Sequence, residues 1–307
     1  MKKSLYLPRI ILVTRKTPLA LLLEHHGTFA QARFYLQSRN QEIQGHKEAH
    51  ERFDAALTCV LDAIPPEQRR VRLDRSELDR FLFAPDDVIV IVGQDGLVPN
   101  VAKYLRGQPA IGINPDADRY DGILCPHSPD DSAKLLDWVG RQDGKGYRIE
   151  PRVMAVAERE DGQQLFALNE VFIGHRSHQS ARYRIRVQGF EERQSSSGVI
   201  CATGTGSTGW ARSIVKQRGL TVPLPKPEQP RLAWFVREPF PSVYTGDTLN
   251  FGFVEANSRI TIHSEMGSGG VVFADGIEGD NVEFLDGHTV TVSVARDRLN
   301  LVIPAAS

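Results

Sequence analysis

Charge imbalance, paired cysteines, long apolar runs and repeats are all missing from this 307-residue sequence, and each gap removes a class of function. Its 37 basic side chains nearly cancel 38 acidic ones, leaving a formal net charge of -1 and no whole-chain field for nucleic acid or an anionic membrane. Any anion site must be local. Three cysteines, Cys59, Cys125 and Cys201, stand far apart with no CxxC spacing, so neither zinc nor a disulfide framework is expected, and a reducing, cytoplasmic setting fits. No apolar stretch approaches the roughly 20 residues of a membrane helix. Lys2, Lys3 and the run from Leu5 start like a secretory leader, but Pro8, Arg9 and Arg15 interrupt it and no small-residue cleavage site follows. A soluble chain without membrane or nucleic-acid partners is expected.

What is present is organised in two halves. Residues 1–146 alternate short apolar runs with amphipathic stretches, which predicts an α/β domain on a Rossmann-like parallel sheet. Ile10–Thr14 reads as its first strand. Ala49, Phe53, Ala56, Leu57, Val60, Leu61 and Ile64 recur at helical spacing, so a helix is expected from His46 to Ile64, stopping before Pro65-Pro66. Val88–Val92 is apolar without alternation, as in a central strand buried on both faces. Pro109–Asn114 predicts another strand and Ser132–Val139 another helix. Residues 147–307 predict a mainly antiparallel β domain, its last segment able to return to the first. Arg182 to Val187 puts Tyr183, Ile185 and Val187 on one face and three arginines on the other. Asp286-Gly287, between Val282–Phe284 and Val290–Val294, suits a hairpin turn. A helix is expected from about Thr205–Ser207 through Trp210, Ile214 and Val215, then a loop from Gln217 to Pro230.

Four segments carry candidate chemistry. Gly93-Gln94-Asp95-Gly96 follows the buried strand and precedes a helix beginning near Leu97, a place where backbone N–H groups and the helix dipole suit a phosphate. Asp95 could there accept a proton or hold magnesium, or simply belong to a turn. Thr203-Gly204-Thr205-Gly206-Ser207-Thr208-Gly209 concentrates hydroxyls and exposed amides beyond what a helix cap requires. Asn169-Glu170, polar in an apolar context, needs partners from a turn or a ligand. Asp275-Gly276 is a metal-site carboxylate or plain turn chemistry. His25, His26, His175, His178 and the arginines of 182–186 read as solvated surface groups.

In this order the segments resemble the NAD kinase family, within the NAD kinase and diacylglycerol kinase superfamily. The family's GGDG loop, Asn-Glu pair, TPTGST segment and late Asp-Gly turn correspond to Gly93–Gly96, Asn169-Glu170, Thr203–Thr208 and Asp275-Gly276. The text is most similar to the mitochondrial-type members: ALNEVFIG at 167–174, SSGVICATGTG at 196–206, and Arg237-Glu238-Pro239. With no transit peptide before Ile10, a bacterial relative is the expectation. The resemblance implies the NAD kinase-like two-domain fold and transfer of the terminal phosphate of ATP to the 2′-hydroxyl of NAD's adenosine ribose, with magnesium, giving NADP. It implies Asp95 as the catalytic base. Gly93, Gln94, Gly96, Thr203, Gly204, Thr205, Gly206 and Ser207 would bind ATP or its phosphates. Asn169, Glu170, Thr208, Gly209, Asp275 and Gly276 would bind NAD. No metal ligand can be named. A homo-oligomer, dimer or tetramer, is expected by analogy only.

Two departures stand out. Gln94 replaces the second glycine of GGDG, where a Cβ penalises positive φ, and Leu97 replaces the usual Thr. Ser197 and Gly204 follow the mitochondrial type. Beside an active kinase, a degenerate NAD(P)-binding sensor and, more distantly, a lipid or sugar kinase of the superfamily remain open.

Overall fold

The structure, a computed structural model, describes residues 8–141 and 146–305. Lys2, Lys3 and Leu5 of the leader-like stretch lie outside them. The chain divides into two compact units, one of residues 1–150 and 300–307, the other of residues 151–299.

The first unit is a parallel sheet with helical cover. Strand β1 (Ile10–Thr14) leads into helices α1 (Pro18–His26), α2 (Phe29–Gln37) and α3 (Gln44–Ala63), then β2 (Arg70–Asp74), β3 (Val88–Val92), α4 (Leu97–Ala102), β4 (Pro109–Ile113) and α5 (Ser132–Arg141). The order is β2-β1-β3-β4, all parallel, with residues 300–302 added in parallel beside β4. Strand β1, apolar but for Thr14, and the all-apolar β3 are buried along their whole length, as expected of strands covered on both faces. Phe53, Ala56, Leu57 and Val60 of α3 and Leu135 and Trp138 of α5 pack with alternate strand residues Ile10, Leu12, Val88, Val90 and Val92. Helix α3 starts two residues before the expected His46 and ends ahead of Pro65. The short α1–α2 pair keeps its own small core of Leu19, Ala32, Leu36 and Ile43, each helix capped by a threonine, Thr17 or Thr28.

The second unit is two antiparallel sheets. Its elements are β5 (Tyr147–Arg159, of which residues 147–150 belong to the first unit), β6 (Gln164–Ala167), β7 (Glu170–His175), β8 (Ala181–Val187), β9 (Phe190–Ser196), β10 (Val199–Ala202), α6 (Trp210–Gln217), β11 (Arg231–Val236), β12 (Phe251–Glu255), β13 (Arg259–Ser264), β14 (Gly270–Ala274), β15 (Asn281–Glu283) and β16 (Thr289–Pro304, of which residues 300–304 belong to the first unit). Strands β9, β8, β13 and β16 adjoin in that order in one sheet, with β5 and β6 attached through β16; the other runs β12-β11-β10-β7-β14-β15. Tyr183, Ile185, Ile260, Ile262 and Val292 of the first meet Val171, Ile173, Val199, Cys201 and Trp234 of the second. On the second sheet's opposite face Phe172, Ile200, Ala202, Ala233 and Phe235 pack under Ala211 and Ile214 of α6. Period-two alternation therefore serves two separate apolar layers. Strand β8 alternates as expected, with Arg182, Arg184 and Arg186 exposed.

Two expectations are corrected. Asp286-Gly287 does not turn a hairpin: β15 pairs with β14 and β16 with β13, so the turn carries the chain from one sheet to the other. Gly287 takes φ 87°, and the His288 N–H closes the turn onto the Leu285 carbonyl. Asp-Gly supplies the same positive φ to a corner as to a hairpin. The expected single helix from Thr205 is a 3-10 turn, Gly206–Thr208, broken from α6 at Gly209, whose φ and ψ of -104° and -116° suit glycine. Among the described residues no helix is long and apolar enough to cross a membrane.

Candidate functional site

Asp95 sits in the first unit at the carboxyl end of β3, in a turn closed by the Leu97 N–H on the Gln94 carbonyl at 2.9 Å. Its carboxylate faces a neighbouring loop. Oδ1 accepts from Leu124 and Cys125 N–H at 2.9 and 3.0 Å, and Oδ2 from Ile123 N–H at 2.9 Å. That loop lies close because β4 carries Gly112, where an added Cβ would stand 2.1 Å from the Leu124 carbonyl oxygen. A carboxylate has about four acceptor directions, and three are engaged here. Burial and the Asp95 charge push the Cys125 thiol's pKa up, so it stays protonated.

Neither glycine of this turn adopts positive φ, and Gln94 is exposed and also outside the left-handed region. The anticipated penalty at Gln94 therefore does not arise. Leu97 is buried, and its side chain lies 3.1 Å from where a Cβ on Gly93 would stand. An apolar contact thus replaces the hydroxyl expected at that position.

The remaining candidates gather in the second unit. Leu168 and Asn169 link β6 to β7, and Glu170 opens β7. Their three N–H groups converge on one carboxylate: Leu168 donates to Asp275 Oδ2 at 3.0 Å, Asn169 and Glu170 to Oδ1 at 2.6 and 3.3 Å. Asp275 N–H returns a bond to the Glu170 carbonyl at 3.0 Å. Asp275 holds φ 54° and Gly276 φ 68°, which turn the chain back immediately after β14. Thr203 is fully buried on the other side of the linker. Its N–H donates to the Asn169 carbonyl at 2.8 Å, its hydroxyl donates to the Leu168 carbonyl, and the same hydroxyl accepts from Thr205 and Gly206 N–H at 3.1 and 3.2 Å.

Close approach explains the glycines that alternate with these hydroxyls. A Cβ on Gly206 would fall 2.1 Å from the Asn169 carbonyl oxygen, and one on Gly204 only 1.9 Å from that of Lys226. No side chain fits at either, proline included. Ser207 Oγ donates to the Thr203 carbonyl at 2.9 Å and Thr208 Oγ1 to that of Thr205 at 3.1 Å. Thr205 Oγ1, by contrast, is buried and has no hydrogen-bond partner among the described residues. Thr208 and Gly209 reach the surface, as does Gly276, while Asn169, Glu170 and Asp275 are half-buried. Burial first, then the Asp275 charge, pushes the Glu170 carboxyl's pKa up to about 7.

The structure thus brings Asn169, Glu170, Thr203–Gly209 and Asp275 into one network, with Asp95 and its loop in the other unit. Two contacts escaped sequence inspection: the Ile123–Cys125 amides on Asp95, and Lys226 over Gly204. Gly122, directly after Asp121 and close before Cys125, is the signal that could have marked the first.

No protein-family profile matches the chain. It is 27% identical to the mitochondrial NAD kinase 2 of Rattus norvegicus, over 87% of this chain and 80% of that one. It is 31% identical to the NAD kinase of Psychrobacter arcticus over 52% of this chain and 51% of the other. Among solved structures, an Archaeoglobus fulgidus NAD kinase in complex with ATP superposes with a TM-score of 0.56 at 22% identity, covering 96% and 92% of the two chains. That structural likeness bears on the fold, an α/β unit joined to an antiparallel β unit.

Proposed function

We infer that this chain belongs to the NAD kinase family and phosphorylates NAD with ATP. The buried hydroxyl of Thr205, unpartnered among the described residues, carries the inference, in a chain similar over 87% of its length to a mitochondrial NAD kinase 2. Such a group costs about 1–3 kcal/mol unless something satisfies it, and here it lies in the segment of amides and hydroxyls that packs onto Asn169-Glu170. A dinucleotide hydroxyl or base nitrogen is the natural partner. Asn169, Glu170, Thr208 and Gly209 then hold the NAD ribose and base, with Gly276 at the edge. Gly93, Gln94 and Gly96 face the donor phosphates, and Thr205 and Ser207 line the nucleotide-binding segment that Thr203, Gly204 and Gly206 shape.

In the transfer, the 2′-oxygen of NAD's adenosine ribose forms a bond to the terminal phosphorus of ATP. The bond from that phosphorus to its bridging oxygen breaks, and ADP leaves. The hydroxyl proton passes to Asp95 Oδ2, the oxygen engaged by one amide rather than two. The amides of 123–125 fix the carboxylate's direction, so positioning precedes proton transfer. Magnesium enters as the counter-ion of the donor triphosphate. Among the described residues no three His, Cys, Asp or Glu side chains gather to cage a metal. All three cysteines are free, which suits a reducing, cytoplasmic setting, and a homo-oligomer is part of the proposal by family analogy.

The test is NADP formation from NAD, ATP and magnesium, with Asp95→Asn beside the parent. Turnover should fall at least about 100-fold in the variant. An inactive parent that still binds NAD would replace the kinase with a dinucleotide sensor. Equal turnover in both proteins would remove Asp95 from the chemistry.

A further inference from the structure

We propose that Asp275 and Thr203 are positioning residues that clamp the Leu168–Glu170 linker from opposite sides and so aim Asn169 and Glu170. The residue-pair assignment to a dinucleotide rests on the function proposed above. The clamp itself rests on hydrogen bonds alone.

Asp275 spends its carboxylate on the backbone. All three linker N–H groups donate to it, and its own N–H bonds back to the Glu170 carbonyl. Charge-assisted bonds of this kind are the strong ones, and three on one carboxylate leave the linker little freedom. Thr203 takes what Asp275 leaves, namely the carbonyls: Leu168's from its hydroxyl and Asn169's from its N–H. The linker's amides and carbonyls are thus held by two residues 72 positions apart in sequence (275 − 203). Through Thr205 and Gly206 N–H, the Thr203 hydroxyl also ties the clamp to the loop bearing the unpartnered Thr205 hydroxyl. The Thr203 N–H and hydroxyl are already engaged by the linker and the loop, so it acts through them.

A second consequence separates positioning from plain structural support. Asp275 is the charged neighbour that acts on Glu170, and together with burial it holds that carboxyl's pKa at about 7. Removing its charge while keeping its shape should therefore move the Glu170 titration towards acid. A side chain that merely supports the fold would not produce that shift.

The experiment uses the full chain without ligand, in Asp275→Asn, Thr203→Val and Thr203→Ser. Amide exchange reads the clamp, and the Glu170 carboxyl carbon resonance reads the titration. In Asp275→Asn, exchange at Leu168, Asn169 and Glu170 should quicken about 10-fold or more, as one lost charged bond implies. The Glu170 midpoint should fall by about one pH unit. Thr203→Val should quicken exchange at Thr205 and Gly206 and leave the midpoint in place, and Thr203→Ser should restore the parent's rates. Unchanged exchange at 168–170 with an unmoved midpoint would overturn the proposal. Should Asp275→Asn not fold, parent-like rates in Thr203→Val would overturn it equally. NAD calorimetry on the same proteins is a separate arm: a parent that fails to bind NAD removes the dinucleotide, while exchange and titration still judge the clamp.

Discussion

Glu170 should make this protein less stable as pH rises, and Glu170→Gln should abolish that loss. The carboxyl is held at about 7 in the folded chain against an ordinary 4.5, because burial and the Asp275 charge both disfavour its ionised form. A raised folded pKa means the unfolded chain gives up this proton first. The contribution is complete below pH 4.5 and is lost as pH climbs through 7. A gap of that size corresponds to about 3 kcal/mol at 1.36 kcal/mol per pH unit, most of it between pH 5 and 8.5. Partial exposure of the side chain trims this to roughly 2 kcal/mol. Glutamine has the same shape and does not titrate. Urea unfolding of parent and variant at pH 5 and pH 8.5 provides the assay, with the transition of the β unit followed by Trp234 and Trp210 fluorescence. The variant should gain about 2 kcal/mol on the parent between the two pH values. A pH-independent difference, or a variant that loses ground at pH 8.5, would refute the assignment of the strain to this carboxyl. The same substitution should weaken NAD, since an amide cannot accept two ribose hydroxyls as a carboxylate can.

Gly204→Ala puts a Cβ 1.9 Å from the Lys226 carbonyl oxygen, so it should cost more than about 3 kcal/mol, seen as an early thermal transition and lost NAD binding. A Gly204→Ala protein that melts with the parent would show that Lys226 yields freely. Gln94→Gly should do little, because Gln94 is exposed with ordinary φ: stability falls by about 0.5–1 kcal/mol from backbone entropy, and kcat/KM for NAD stays within about threefold, equivalent to 0.6 kcal/mol. A large gain in turnover on restoring glycine would mean that Gln94 obstructs the donor after all.

Where a pattern is local, the sequence and the structure agree closely. Ile10–Thr14 and Val88–Val92 match residue for residue because an apolar run without polar alternation has one good environment, a strand covered on both faces. Tyr183, Ile185 and Val187 face inward because period two leaves them no alternative. The candidate segments were legible as text, since few other roles concentrate Thr, Gly and Ser so densely. Their partners were not. Asp95 reaches residues 28 to 30 positions away and Asp275 residues 105 to 107 positions away, and no periodicity encodes such distances. Asp286-Gly287 misled for the opposite reason, because the local chemistry was right and only pairing across the unit decides between hairpin and corner.

Asp95-Gly96 and Asp275-Gly276 share a device that neither stretch discloses alone. Each follows a strand, and each carboxylate accepts three consecutive backbone N–H groups: 123–125 for the first, 168–170 for the second. Three such bonds fix a loop that would otherwise leave its amides to water. The two sites differ in what the clamped loop presents. At Asp275 it presents Asn169 and Glu170, so the aspartate acts through its neighbours. At Asp95 it presents Ile123, Leu124 and Cys125, and in the proposed transfer the aspartate itself is the group that acts. The same hydrogen-bond pattern therefore assigns opposite roles to the two residues, and Asp95→Asn and Asp275→Asn should separate accordingly: the first should lower kcat with NAD binding retained, the second should weaken NAD with the Glu170 titration displaced.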